Sequence, residues 1–280
     1  MKKILALFVV ISVPISLAAQ QVFISDKLTK KWETAEMKVP ESVFYDDLKQ
    51  AIYVSNVTGA PSDKDNSGFL SKLSADGKVV SLKWVTGLHA PKGIGVIGNL
   101  LYVSDIDRVA EIDIEAGKII RMIEIPGSGF LNDITTDAEG NVYVSDSEKS
   151  TVHLILQGKA ELLVKSDKLE GINGLYVSEG ILLAGLKDRI VSIDLETKNI
   201  TDFILNTGGI DGLVPDGNGN FLISDWQGHI HRVSASKEKE KLADTTPAKV
   251  NAADIDYIIS KKLLLVPTFS ANSVVAYELK

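Results

Sequence analysis

A short strand signature returns six times along this chain. The stretch LYVSD at 101–105 reappears as IYVSN (52–56), VYVSD (142–146), LLAGL (182–186), FLISD (221–225) and LLVPT (264–268). Taken at Tyr53, Tyr102, Tyr143, Leu183, Leu222 and Leu265, the spacings are 49, 41, 40, 39 and 43 residues. A period of this length constrains the fold more than composition does. Each unit is too small to bury its own apolar face and must stack on its neighbours. Between the signatures run short β-branched and aromatic segments broken by turns such as DAEGN (137–141) and DGNGN (216–220), with almost no helical periodicity after residue 20. Six units of about four short strands each predict an all-β fold, a six-bladed β-propeller. An open sandwich of similar strands is the alternative, and the number of units disfavours it.

A propeller must close its ring. Residues 31–42, KWETAEMKVPES, parallel 83–93, KWVTGLHAPKG, which lead from the outer strand of the first unit into the second. The N-terminal stretch is therefore expected to supply the outer strand of the last blade and leave no open edge there. The expected division is residues 1–20 as a cleavable signal peptide and residues 21–280 as one propeller domain. Lys2 and Lys3, the apolar run Ile4–Leu17 and the small residues Ala18 and Ala19 carry the first part of that reading. Pro14 and the shortness of the run argue against a membrane span. A periplasmic or secreted protein follows as the expectation. With no cysteine, its stability must come from its core and from any bound metal. Loss of residues 1–20 takes the formal charge from −7 to −9. An acidic chain is a poor candidate for nucleic acid, and no further segment is long enough to cross a membrane. A monomer acting on a small molecule is expected.

Aligning the first strand of each unit gives PESVFY, PKGIGV, LNDITT, INGLYV, IDGLVP and AADIDY. The second letters are Glu41, Lys92, Asn132, Asn173, Asp211 and Ala253, lying 12, 10, 11, 10, 11 and 12 residues before the reference positions. First strands line the channel of a propeller, so one register brings these six residues to one mouth. Four of them offer hard oxygens, two anionic and two amide, a set suited to Ca²⁺, with Mg²⁺, Mn²⁺ or Zn²⁺ as the other candidates. Asn and Asp also cap turns before strands, and that bland reading fits any one of them alone. Lys92 has two readings of its own. It pairs with Glu41 or Asp133, or it holds a substrate carboxylate or hydroxyl.

The stretches ESVFYD (41–46), LNDITTDAEGNVYVSD (131–146), INGL (172–175) and IDGL (210–213) resemble the gluconolactonase/senescence-marker-protein family of six-bladed propellers. The resemblance spans nearly all of residues 21–280. It implies a divalent cation held by Glu41, Asn173 and Asp211, with Asn132 lining the ligand site and Asp211 as general base. The implied activity is hydrolysis of a sugar lactone or related cyclic ester. One departure stands out. Where some members carry a sugar-contacting arginine, this chain has Phe130. A non-catalytic propeller that binds a sugar, peptide or protein is the alternative reading, and a metal-dependent isomerase or condensing enzyme is a third.

Three further features have local readings. The long first spacing marks an insertion, NVTGAPSDKDNSG (56–68), expected between the second and third strands of the first blade as a lid beside Glu41. Its DKDNSG opens like a calcium loop but places Ser74 where the bidentate Glu should be. His229 and His231 share one face of a strand and lack an evident third zinc ligand. No serine elbow, phosphate loop or dinucleotide fingerprint occurs.

Overall fold

The computed structural model describes residues 21–280, so the signal-peptide expectation lies outside the described residues. Six antiparallel sheets follow one another in chain order. Blade one runs Pro40–Asp46, Ala51–Asn56, Gly68–Ser74 and Val79–Leu88, and blade two runs Pro91–Ile97, Leu100–Asp105, Arg108–Asp113 and Lys118–Glu124. Blade three runs Leu131–Thr136, Val142–Asp146, Thr151–Leu156 and Lys159–Lys165. Blade four runs Leu175–Ser178, Ile181–Gly185, Arg189–Asp194 and Ile200–Leu205. Blade five begins with Leu213–Pro215, Phe221–Ser224, His229–Val233 and Lys239–Asp244. Blade six takes Asp256–Ile258, Leu263–Pro267 and Val274–Leu279.

The N-terminus completes the last blade as expected. Leu28–Thr34 pairs with Val274–Leu279, from Leu28 opposite Leu279 to Thr34 opposite Val274. The strand ends at Thr34, short of the expected stretch, because Pro40 already opens the first strand of blade one. One pairing was not legible in the repeat. Phe23–Ile24 adds a fifth strand to blade five, Phe23 opposite Asp244. The N-terminal segment thus ties two blades together.

The core sits between blades, which is why the repeat must close. One buried apolar cluster fills each of the six interfaces. Tyr53, Leu101 and Ile112 join blades one and two, and Val43, Ile52 and Leu265 join blades six and one across the seam. Each such side chain contributes about 1.5–3 kcal/mol on leaving water. The signature strands read apolar on both faces because both faces are covered. Ala51–Asn56 is buried at every position.

The signature's Ser and Asp also acquire a reason. In blades one to three the pairing of the first and second strands slips between Pro40 and Val43, Pro91 and Ile94, and Leu131 and Ile134. A β-bulge of this kind leaves two residues opposite one. The serine hydroxyl satisfies the amide that the bulge frees. Ser55 and Ser145 accept from the N–H of Ser42 and Asp133, each at 2.9 Å, and in blade five, just ahead of the first strand, Ser224 accepts from the N–H of Gly212 at 2.9 Å. Ser224 also donates to the Ala253 carbonyl at 2.6 Å and Ser104 to the Asn132 carbonyl, stitching blade five to blade six and blade two to blade three. The Asp holds the segment that leads into its own blade. Asp105 accepts from the N–H of His89 and Ala90, and Asp146 from those of Gly129 and Phe130.

Candidate functional site

The bulges deliver the aligned residues to one end of the channel. Glu41, Lys92 and Asn132 lie in the bulges themselves. Asn173, Asp211 and Ala253 stand just ahead of their strands and are anchored by backbone bonds to Gly185, Ser224 and Pro267. Glu41, Lys92, Asn132, Asp211 and Ala253 are all buried and Asn173 is half-buried. The Asn173 amide donates to Asp211 Oδ1 at 2.5 Å. Asn132 donates to the Ser147 hydroxyl at 3.2 Å, and that hydroxyl in turn donates to the carbonyl of Ile172.

Two oxygens in this ring have no partner. Glu41 Oε2 and Asp211 Oδ2 are buried without a hydrogen bond. A buried carboxylate normally fills its acceptor sites, and leaving one empty carries a desolvation cost. Burial pushes the Glu41 carboxyl well above the usual range, with the Asp211 charge adding to the rise and Lys92 opposing it. Burial likewise raises Asp211 to about 7, against the lowering effect of the Asn173 hydrogen bond. The two orphaned oxygens belong to the two anionic members of the expected ligand triad.

Lys92 has neither of the partners expected for it. Its ammonium donates to the carbonyls of Pro61 and Ala90, both at 2.9 Å, and lies 4.3 Å from the centre of the Phe130 ring. Burial lowers its pKa, while the Glu41 charge acts to raise it. Phe130, the departure from the family pattern, is thus the cation's aromatic floor. The Pro61 contact also brings the 56–68 insertion over the mouth. Lys64 reaches Asp107 at 2.5 Å, and Gly68 donates to the His89 carbonyl. The calcium-loop reading of DKDNSG gains nothing, since Asp63 and Asp65 close local turns on the N–H of Ala60 and Ser67. His229 is tied to Asp225 at 2.7 Å, with His231 beside it on the same strand face.

The third letter of each aligned stretch forms a second layer that the alignment did not single out. It reads Ser42, Gly93, Asp133, Gly174, Gly212 and Asp254. The glycines let adjacent first strands touch. A Cβ on Gly93 would lie 2.5 Å from the Cα of Asp133, on Gly174 2.4 Å from the Asp211 carbonyl, and on Gly212 2.5 Å from the Ile255 nitrogen. The carboxylates bridge where glycine does not. Asp133 accepts from its own blade at Ile134 and from blade four at Leu175, both at 2.6 Å, and Asp254 accepts from Ser42 at 2.5 Å. Burial raises Asp133 to about 7 and raises Asp254 well above the usual carboxylate range, each reinforced by neighbouring carboxylates. The restriction of this letter to Gly, Ser or Asp was the available signal. It is visible only when the stretches are compared column by column.

A cavity opens at the other end of the channel. It has a volume of about 340 Å³, and Asp133 and Asp254 contribute to its lining along with Phe44, Tyr176, Leu213 and Tyr257. The buried carboxylate layers therefore separate this cavity from the mouth that carries Glu41 and Asp211. Among the described residues no cluster of three or more His, Cys, Asp or Glu side chains is poised to hold a metal. The expected triad is of a different type, since one of its members, Asn173, is an amide.

No protein-family description matches this sequence, and no curated protein matches it. Solved structures do resemble the fold. The chain is similar to a catalytically inactive variant of virginiamycin B lyase from Staphylococcus aureus, solved with quinupristin. That likeness has 14% identity and a TM-score of 0.62, covering 90% of this chain and 99% of that one. A streptogramin B lyase structure gives 12% identity and a TM-score of 0.64, covering 90% of this chain and 97% of the other. The WD40 β-propeller domain of Doa1 gives 12% identity and a TM-score of 0.64, covering 85% of this chain and 78% of that one. At such identities the likeness concerns architecture alone. The chain is a six-bladed β-propeller with propeller enzymes among its structural neighbours.

Proposed function

We propose that this protein is an exported, divalent-cation-dependent hydrolase of cyclic esters. The observation that carries the reading is the pair of buried, unpartnered oxygens, Glu41 Oε2 and Asp211 Oδ2, in one channel mouth beside Asn173 and Asn132. Glu41, Asn173 and Asp211 would hold the cation, with calcium favoured by an all-oxygen donor set. When bound, it supplies Lewis-acid stabilisation of the oxyanion that develops on the ester carbonyl. The chain's own residues account for the rest. The Asn173 amide fixes Asp211 through Oδ1 and leaves Oδ2 directed elsewhere. Asp211, held as a carboxylate by the cation, would take the proton from the attacking water. Water adds to the acyl carbon, the ring C–O bond breaks, and the departing alkoxide recovers the proton to leave a hydroxy acid. Asn132 orients the substrate by its amide, and Lys92 steadies the carboxylate that forms.

A screen of lactones with a pH indicator, run with and without EDTA and with Asp211→Ala, tests the reading. Hydrolysis that survives both treatments sinks it. Because lyases occur among the structural neighbours, turnover in ¹⁸O-water adds a control. Hydrolysis places one labelled oxygen in the product, and elimination places none. A non-catalytic propeller is the second reading. The observation in its favour is that the cavity opens at the far end of the channel, away from the candidate ring.

A further inference from the structure

The same mouth carries side chains that the chemistry above does not use. Trp226 stands just past the end of Phe221–Ser224 and is 50% exposed, the only large aromatic besides Phe23 so exposed among the described residues. Its ring meets Phe269 edge-on, with centroids 5.5 Å apart. Phe269 has φ of 46°, a conformation that costs a bulky L-residue energy and persists only where its surroundings impose it. A buried asparagine ties the two flanking segments together. Asn251, two residues ahead of Ala253 in the ring, donates to the Trp226 carbonyl at 2.8 Å and accepts from the N–H of Ser270 at 3.3 Å.

The arc continues around the mouth. Phe269 packs on the cluster of Val57, Ala90 and Ile106, which joins the insertion to blade two. Val57 begins the loop whose Pro61 carbonyl receives Lys92, and Lys92 lies over Phe130 of blade three. Trp226, Phe269, Pro61 and Phe130 thus stand around the mouth on blades five, six, one and three, with the buried Val57 packed beneath Phe269. In the ring itself blade six contributes only the methyl group of Ala253. A polyhydroxylated ligand would leave its hydroxyls unsatisfied against such a wall. A flat apolar body would cover it and exclude water.

Resting on the ester-hydrolase reading, we infer that the substrate is an ester whose carbonyl enters the oxygen-lined ring and whose aromatic or aliphatic body lies on Trp226 and Phe269, in place of a sugar. Dihydrocoumarin and γ-nonalactone serve as apolar probes and glucono-δ-lactone as the sugar probe. Trp226 is itself a reporter, because the other two tryptophans, Trp32 and Trp84, lie on outer strands. In the Asp211→Asn protein, which removes turnover, the apolar probes are expected to change tryptophan emission and glucono-δ-lactone is not. Trp226→Phe should remove that response. In the active protein, Trp226→Ala should raise KM for dihydrocoumarin about tenfold or more, the scale of one buried aromatic contact, with kcat nearly unchanged. Hydrolysis of all three probes with KM unaltered in Trp226→Ala overturns the inference and leaves the hydrolase reading standing. Apolar probes that quench Trp226 fluorescence in a protein that hydrolyses nothing uphold the binding wall while the hydrolase reading falls. A sugar lactone bound or turned over better than both apolar probes overturns the inference outright.

Discussion

Replacing Asp211 by Asn should make the cation-free protein more stable at pH 8 and blind to calcium. The Asp211 carboxyl is raised from 3.8 to about 7 in the folded chain, chiefly by burial. The sign follows from proton binding. Below pH 4 both folded and unfolded chains are protonated here and no penalty arises. As pH rises from 4 to 7 the unfolded chain ionises first, so folding stability falls, and above 7 the loss is constant. A displacement of about three units corresponds to about 4 kcal/mol. Asparagine removes this cost but can place an unmatched amide N–H where Oδ2 was, at about 1–3 kcal/mol. The net gain is therefore about 1–3 kcal/mol, or a rise in Tm of about 2–12 °C for a chain of this size. Thermal melts at pH 4 and pH 8, each in EDTA and in excess calcium, test the reasoning. Calcium should raise Tm of the native protein at pH 8 and leave Asp211→Asn unchanged. If the variant melts below the native protein at pH 8 in EDTA, or if calcium raises both equally, the account of the two unpartnered oxygens is refuted.

Other substitutions test the architecture. Ser224→Ala strands the Gly212 N–H and the Ala253 carbonyl between blades five and six, and urea unfolding should show a loss of about 2–6 kcal/mol, the sum of two unsatisfied buried groups. Gly174→Ala drives a methyl to 2.4 Å from the Asp211 carbonyl, so it should cost about 1–3 kcal/mol and move Asp211, read as a large fall in calcium affinity by calorimetry. Gly98→Ala, with open space around its Cβ but φ of 60°, should show only the smaller backbone cost and keep calcium affinity intact. Deleting residues 21–35 removes the outer strand of blade six and exposes the edge of Val274–Leu279, so the sharp thermal transition should broaden and the protein aggregate.

Blade count, blade order and the closing strand were legible in the sequence because they follow from local chemistry repeated at a fixed period. Short β-branched and aromatic runs mark strands, and runs rich in Asp, Gly and Asn mark turns. The period of about 40 residues also placed Glu41, Asn132, Asn173 and Asp211 in one register, since equal spacing within each unit maps to equal height in the channel. What the tertiary structure alone decided concerns partners drawn from different blades. Lys92, read either as a partner of Glu41 or Asp133 or as a substrate contact, bonds the Pro61 and Ala90 carbonyls over Phe130. In the text of the chain Asp133 is a candidate partner of Lys92 and Asp254 is one letter of the first strand AADIDY. Ring closure turns them into bridges to Leu175 and Ser42. Phe23–Ile24 finds blade five because residues far apart in sequence lie side by side once the circle is complete. The repeat determines where along the axis each side chain stands. Which neighbour it meets around the axis depends on how six blades crowd together, and no single unit carries that information.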